Sequence, residues 1–270
     1  MLNSFLKCEA GSRIRYTGML ISAIFVLLSV FTIAQKGLNF GLDFTGGYLT
    51  EFTTSQGVEL KQLEQFIAKN HQCEFELKAQ GNNHFQLTQG PNNTSNNDDW
   101  KTAISQNPTI NAEVLSSAYI GSQVGDELFE QGCLALFAAM VAVMIYLAVR
   151  FEWRLALGSV VALLHDLVLV VGLFSWLQIE FNLTVLASLL AIIGYSLNDS
   201  IIVGDRVREL LRISTNITLK PSSIINNAIK STLTRTLITS GTTLATVASV
   251  WLLAGAPLQG FAIALFAGIV

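Results

Sequence analysis

The sequence has few charged residues, few prolines and few cysteines, and each shortage excludes a class of protein. Charged residues make up 13% of the 270 residues, about half the share of soluble globular domains. Four Pro against sixteen Phe and four Trp exclude disordered, collagen-like and low-complexity chains. The three cysteines (Cys8, Cys73 and Cys133) cannot build a disulfide framework, and no Cys/His cluster has zinc spacing. We therefore predict no metal site and no cofactor.

The sequence also lacks the signatures of an enzyme or of a nucleic-acid-binding protein. No G-x-x-x-x-G-K-[ST] segment is present, which excludes a P-loop ATPase. His71 and His84 have no nucleophile signature nearby. The one large polar block, residues 36–130, holds five Lys and no Arg against twelve Asp or Glu. Because nucleic-acid binding requires a basic face, the chain is predicted to bind none.

Long apolar runs are the dominant feature of the sequence. Five of them have about the 20 residues that an α-helix needs to cross the hydrocarbon of a bilayer. A sixth run reaches the last residue and, at about 1.5 Å per residue, is too short to span. We predict a polytopic α-helical membrane protein, a six-span bundle whose last span is truncated. The predicted spans are residues 16–35, 131–149, 155–177, 183–205 and 236–256, with 258–270 incomplete.

The positions of the basic residues predict the orientation in the membrane. Lys and Arg are concentrated before the first span, between the second and third, and between the fourth and fifth. The positive-inside rule makes this side cytoplasmic. Residues 1–15 and the loop 206–235 are then cytoplasmic, and 36–130 is periplasmic. The first apolar run exceeds the usual core of a signal peptide, so we expect an uncleaved anchor.

The acidic block is predicted to fold as a small α+β domain. Its alternating and helical periodicities follow one another in the order β-α-β-β-α-β. That order matches a ferredoxin-like split unit. The elements are predicted at residues 48–54, 58–70, 75–79, 84–88, 98–106 and 114–120.

Polar residues inside the predicted spans are the candidate functional residues. An ionised Asp at a helix centre costs about 2.5–3.5 kcal/mol on insertion scales, which makes such residues functional candidates by default. His165 and Asp166 lie near the middle of the third span, and Asn198 and Asp199 lie in the fourth. Arg235 begins the fifth span at a depth compatible with Asp199. These residues form either a proton-sensitive latch or static polar contacts between helices.

Two glycine patterns predict local structure. In the segment GLDFTGG (41–47), Gly46 and Gly47 permit a sharp turn into the first strand. Asp43 is expected to accept backbone N–H groups there, as in an Asx turn, so the segment has a structural role. Small residues spaced four apart predict close helix packing in lipid. They are Gly241, Ala245 and Ser249 in the fifth span, and Gly260, Ala264 and Gly268 in the last.

Several longer segments carry a resemblance to a known family. They are GLDFTGG at 41–47, GSQVGDELFEQG at 121–132, FEWR at 151–154, GYSLNDSIIVGDRVRE at 194–209 and TLTRTLITS at 232–240. Together, and in this order, they resemble the SecD/SecF family of protein-export membrane subunits. Family members continue beyond the position of Val270, through the rest of the sixth span and a short tail.

The resemblance implies a resistance–nodulation–division type bundle in the bacterial cytoplasmic (inner) membrane. It implies that the chain uses the proton motive force, with protons as the coupling ion, to promote preprotein translocation. Its partners would be SecD as an obligate heteromer, the SecY/SecE/SecG channel, YajC, the preprotein and the lipid bilayer. At the matching positions, Asp199 and Arg235 are linked to proton coupling, while His165, Asp166 and Asn198 form a further candidate polar relay.

Two alternatives remain open from the sequence. The chain can be half of a small-molecule or lipid exporter of the same superfamily. It can also be a structural scaffold of the translocon without proton coupling. The scaffold hypothesis predicts that Asp199→Asn is nearly silent, because Asn keeps the shape and still accepts from Arg235.

Overall fold

Thirteen secondary-structure elements account for most of the computed structural model, which describes residues 2–55, 57–70, 75–81, 83–90, 99–151, 153–213 and 221–270. The long helices are α1 (Leu2–Lys36), α5 (Ser122–Arg150), α6 (Trp153–Leu177), α7 (Leu183–Ile213) and α8 (Pro221–Leu253). The shorter helices are α2 (Leu42–Thr45), α3 (Leu60–Asn70), α4 (Asp99–Gln106) and α9 (Ala256–Ile269). The strands are β1 (Gly47–Thr53), β2 (Phe75–Ala79), β3 (His84–Gln89) and β4 (Glu113–Ile120).

The described part of the chain contains five helices that are long and apolar enough to cross a membrane. They comprise α5, the stretch Thr17–Lys36 of α1, Leu155–Leu177 of α6, α7, and Ser222–Leu253 of α8. The helix α9 has 14 residues, about 21 Å at 1.5 Å per residue, and is shorter than the hydrocarbon is thick. The protein is therefore a multi-pass α-helical membrane protein.

The bundle, formed by α1 and α5–α9, packs around α6, α7 and α9. Buried apolar side chains of these three helices form one core with Phe44 and Phe181. Its helical members include Val170, Phe174, Val185, Leu189, Ile192 and Ala264. Close approach depends on glycines: a Cβ at Gly268 would lie 2.6 Å from Ile192 Cδ1, and one at Gly260 would lie 3.0 Å from Val185 Cγ2. The small-residue prediction is thus confirmed for α9, whereas a Cβ at Gly241 would meet nothing within 4 Å.

The sheet domain, residues 47–120, is a four-stranded antiparallel sheet in the order β2-β3-β1-β4 with α3 and α4. The chain follows the predicted order β-α-β-β-α-β. Side chains from the sheet and both helices form its core, because strand residues alternate between two faces and the helices cover one of them. Its fully buried members include Phe52, Leu63, Ile67, Leu87, Trp100 and Ile104.

The segment 206–235, expected to be a loop, is largely helical. Helix α7 continues to Ile213 and α8 begins at Pro221; residues 214–220 lie outside the described part of the chain. Beyond its apolar stretch, α7 carries an ion pair between residues one turn apart, with Arg206 Nη1 2.5 Å from Glu209 Oε2. Such a pair stabilises a helix by about 0.2–0.5 kcal/mol. Hydropathy marks where the apolar stretch ends, and the helix extends past that point.

Candidate functional site

The GLDFTGG segment joins the sheet domain to the bundle through a glycine turn. Gly46 and Gly47 have φ values of 69° and 142°, a region that favours glycine. A Cβ at Gly46 would lie 2.8 Å from the Ser122 amide nitrogen, and one at Gly47 would collide with the Gln89 carbonyl oxygen. The predicted sharp turn is therefore present, and it is packed on both sides by backbone.

Asp43 does not form the predicted Asx turn. The short helix α2 satisfies its own N–H groups, with Phe44 and Thr45 donating to the Gly41 carbonyl. The Asp43 carboxylate instead accepts a 2.9 Å hydrogen bond from the backbone N–H of Leu183, the first residue of α7. A carboxylate at a helix N-terminus is stabilised by the unpaired N–H groups and the helix dipole. Asp43 thus fixes one end of a membrane helix.

The loop between α6 and α7, residues 178–182, extends this attachment. Phe181 accepts a 2.9 Å hydrogen bond from the Gly41 N–H and donates one of 2.7 Å to the Asn39 carbonyl. The rings of Phe40, Phe44, Phe129, Phe174 and Phe181 pack with centroid distances of 5.5–6.3 Å. We call segment 39–47 with loop 178–182 the junction.

An ion pair connects the junction directly to the sheet domain. Lys78 of β2 forms an ion pair with Glu180, and their side chains are 30% and 25% exposed. Burial acts to lower the pKa of Lys78, but hydrogen bonding and charge attraction from Glu180 and Glu76 outweigh it, so the pKa is raised above 10.5. The stabilisation from Lys78 is therefore complete below pH 10.5 and is lost only as the pH rises through the raised pKa.

The Lys78–Glu180 pair is expected to show measurable coupling in a double-mutant cycle. Lys78→Met and Glu180→Gln should each lower the Tm of the purified full-length protein. The free energy of unfolding lost by the double variant should be smaller than the sum of the two single losses by about 1 kcal/mol. This value is the upper end of the range for exposed ion pairs. Lys61→Met, at an exposed position on α3, is the matched control. Its effect on the free energy of unfolding and that of Glu180→Gln should be additive. Strict additivity for Lys78 and Glu180 would contradict the assignment.

Within the bundle, His165 and Asp166 lie in a hydrogen-bonded network across three helices. His165 Nδ1 lies 3.0 Å from Asp166 Oδ1, and His165 Nε2 lies 2.5 Å from Ser22 Oγ in α1. Ser196 of α7 donates a 2.7 Å hydrogen bond to Asp166 Oδ2. The structure thus brings the first two residues of the candidate relay together and links them to α1 and α7.

Asn198, the third residue of the candidate relay, lies apart from this network. Its side chain is exposed, and its place beside Asp166 is taken by Ser196. Two positions along an α-helix correspond to about 200° of rotation, so residues 196 and 198 lie on nearly opposite faces. Serines 22 and 196 were missed from the sequence because small hydroxyl residues are common in membrane helices.

Asp199 and Arg235 are neighbours without a direct ion pair. Among the described residues, Asp199 Oδ1 is buried and has no hydrogen-bond partner. Arg235 is exposed on α8 and is close enough for a Coulombic interaction with Asp199, but no N–O distance of 4 Å or less joins them. A buried polar atom without a partner carries a free-energy cost, which marks Asp199 as a candidate functional residue.

No metal site was found in the part of the chain that the structure describes. There, no group of three or more His, Cys, Asp or Glu side chains is arranged to hold an ion. The polar groups described above in the bundle include carboxylates, an imidazole and a guanidinium, at Asp166, Asp199, His165 and Arg235. Carboxylates and imidazoles in general bind and release protons, and a guanidinium attracts negative charge.

Two family profiles match the chain. Residues 100–270 match "Protein export membrane protein SecD/SecF, C-terminal", and residues 31–58 match the "SecD/SecF GG Motif". The second range contains the glycine turn of the junction. The first contains α5–α9 and therefore the polar residues of α6, α7 and α8.

Full-length relatives and a solved structure agree with these profiles. The chain is 38% identical to the protein translocase subunit SecF of Vibrio alginolyticus, covering 92% of this chain and 80% of the relative. It is 36% identical to SecF of Escherichia coli O157:H7, covering 99% and 84%. It superimposes on the crystal structure of SecDF from Thermus thermophilus, a translocon-associated membrane protein, with a TM-score of 0.81 and 31% identity. That match covers 94% of this chain and about a third (35%) of the SecDF chain. The chain belongs to the SecD/SecF family of protein-export membrane proteins.

Proposed function

We propose that the chain is an accessory subunit of the Sec translocase that uses the proton motive force, together with SecD, to promote preprotein translocation. Family membership supports the translocation role. The observation that carries proton coupling is the buried carboxylate oxygen of Asp199 in a membrane helix, which has no hydrogen-bond partner in the described part of the chain. Such an oxygen can take up a proton or attract Arg235, and these two states have different charge.

The proposed coupling moves charge at Asp199 and transmits the movement through α7. Moving one elementary charge through 100 mV supplies about 2.3 kcal/mol. Helix α7 carries Asp199, and its first residue, Leu183, is held by Asp43 of the junction. The junction also contacts β2 of the sheet domain through Glu180 and Lys78. A shift of α7 on protonation would therefore reach the sheet domain.

We further propose that this chain supplies half of a two-part bundle and that SecD supplies the rest. The chain corresponds to about a third (35%) of the single SecDF chain of Thermus thermophilus, which supports a two-part architecture. The SecY/SecE/SecG channel, YajC and the preprotein are the proposed further contacts. Basic residues concentrated at one end of the helices support a periplasmic location for the sheet domain. Its strand order, β2-β3-β1-β4, supports its assignment as ferredoxin-like.

Precursor export in cells depleted of the native subunit tests this function. The full-length gene should restore export, and the benefit should disappear when an ionophore collapses the proton motive force at constant ATP. A benefit that survives the ionophore would contradict proton coupling and favour the scaffold hypothesis. No effect on export at a normal membrane level would favour the exporter hypothesis. An empty vector and an unrelated membrane protein serve as controls.

A further inference from the structure

A cavity opens between α6, α7 and α8, in the half of the bundle that lies away from the sheet domain. Its volume is about 510 Å³, within the range of about 300–1,000 Å³ that small-molecule sites occupy. Most of its lining is apolar and includes Phe151, Leu155, Val207 and Ile229. Gly204 allows the Phe151 ring to form one wall, because a Cβ there would lie 3.1 Å from that ring.

The polar side chains of the lining are one carboxylate and several hydroxyls: Asp199, Ser159, Ser200, Thr232 and Thr236. Asp199 lines the cavity, and its Oδ1 has no partner among the described residues. The hydroxyls of Ser159 and Thr232, also in the lining, donate to the carbonyls of Leu155 and Ala228 on their own helices. The lone pairs of these two hydroxyl oxygens can therefore accept a hydrogen bond from a ligand.

Among the side chains that the structure describes, the cationic ones near the cavity lie outside its lining. Arg150 pairs with Asp205 at 2.8 Å, and Arg206 pairs with Glu209 at 2.5 Å. Arg235 is exposed on α8 and does not contribute to the lining. The described lining thus offers one carboxylate and several hydroxyls within apolar walls. Because Arg235 acts on Asp199 from outside the lining without a direct ion pair, the charge within the lining favours a cation over an anion.

We propose that this cavity binds a lipophilic primary ammonium compound, with its –NH₃⁺ group on Asp199 and its hydrocarbon against Phe151, Leu155 and Ile229. An ammonium is a cation with three donors, which complements the carboxylate of Asp199 in the described lining. A neutral hydrocarbon would place no opposite charge beside that carboxylate. A small metal ion would leave the apolar walls empty. The inference concerns binding and does not depend on proton coupling.

The test measures binding of 1-aminoadamantane to the purified full-length protein in complex with its partner, by isothermal titration calorimetry in detergent. The neutral analogue 1-adamantanol has nearly the same shape and serves as the matched ligand. The amine should bind about tenfold more tightly or better, because only the amine is a cation that forms an ion pair with the carboxylate, whereas the alcohol can donate only a neutral hydrogen bond. Equal affinities for the two ligands would overturn the proposal.

Two variants separate the carboxylate from the shape of the cavity. Asp199→Asn should abolish the preference for the amine and keep the binding of the alcohol. Gly158→Leu should abolish binding of both, because Gly158 lines the cavity and a Cβ there meets no atom within 4 Å, so the new side chain fills the space without distorting a neighbour. Gly18→Leu, on the exposed face of α1, is the control and should bind both ligands normally. Amine binding that survives Gly158→Leu would place the ligand elsewhere and overturn the proposal.

A primary ammonium can come from a free amine or from the headgroup of phosphatidylethanolamine. Repeating the titration in nanodiscs of phosphatidylcholine with and without phosphatidylethanolamine distinguishes them. Weaker amine binding with phosphatidylethanolamine than without it supports the cavity with the lipid as its occupant. Unchanged binding supports the cavity with a free amine as its occupant. Absence of amine binding in the calorimetry would overturn the cavity proposal and would leave the expected result of the export experiment unchanged. The ligand proposal and the translocation proposal can therefore fail separately.

Discussion

Asp199→Asn is expected to reduce precursor export by on the order of tenfold, at an unchanged membrane level of the protein and unchanged association with SecD. The substitution keeps the size of the side chain but removes the charge and the titrating proton. If one proton moves through 100 mV at this site, about 2.3 kcal/mol of driving energy is lost, a factor of tens in an equilibrium constant. Pulse-chase measurement of precursor processing in depleted cells provides the readout.

Asp205→Asn is the matched control for Asp199→Asn. Both residues lie on α7, but Asp205 is 42% exposed and pairs with Arg150 at 2.8 Å. An exposed pair of this kind contributes about 0–1 kcal/mol, so export should stay near the wild-type rate. Wild-type export by Asp199→Asn would make Asp199 a packing residue and would give the scaffold hypothesis priority.

Gly125→Ala is expected to destabilise the connection between the sheet domain and the bundle by about 1–3 kcal/mol, the usual cost of overpacking. Gly125 lies in the first turns of α5 and is buried against α2. A Cβ there would lie 2.5 Å from the Phe44 carbonyl oxygen and 2.8 Å from its carbon. Backbone atoms cannot rotate away as a flexible side chain can, so α2 and α5 must separate. We expect a lower Tm and faster proteolysis of the full-length protein around residues 37–47.

The control for Gly125→Ala is Gly121→Ala, four residues earlier in the same GSQVG sequence. A Cβ at Gly121 would meet only the Tyr119 ring, at 4.0 Å, an ordinary contact. Both substitutions add one methyl group near the start of α5, but Gly121 is its N-cap residue and Gly125 lies inside the helix. Helix propensity alone favours Ala at position 125 and disfavours it at the N-cap, so a larger loss at Gly125 reports what its methyl group meets. Equal Tm values for the two variants would show that the junction tolerates separation of α2 from α5.

Local sequence patterns were sufficient for the order of the elements. Each strand and helix of the sheet domain lies within one or two residues of its predicted position, as in β1 at Gly47–Thr53 for the predicted 48–54. Periodicity reports which faces of a segment are buried, and that property is local. The end of a membrane helix is harder to predict from the sequence, because hydropathy changes at the lipid surface while helical hydrogen bonding continues. Helix α7 is an example, since it reaches Ile213.

Partners distant in sequence could not be predicted. The Asp43 carboxylate was expected to accept hydrogen bonds within its own turn. It instead accepts one from the backbone N–H of Leu183, 140 residues away. Lys78 and Glu180 had no sequence signal at all, since each is one of many charged residues in polar segments. Asn198 was grouped with Asp166 by composition, but helix rotation places Ser196 there instead. These pairings depend on how helices rotate and cross, which a single sequence does not encode in any local pattern.

By itself, the sequence determined that this is a membrane protein of five long apolar helices and one small acidic α+β domain, and it identified Asp199 as a costly group in a membrane helix. These conclusions follow from transfer free energies and periodicity, which belong to each segment alone. Only the tertiary structure decided that Asp199 Oδ1 has no hydrogen-bond partner among the described residues and that Asp199 lines a largely apolar cavity. It also decided that the junction holds α7 to the sheet domain. Packing decides such features, because they depend on the distances between segments that are far apart in the chain.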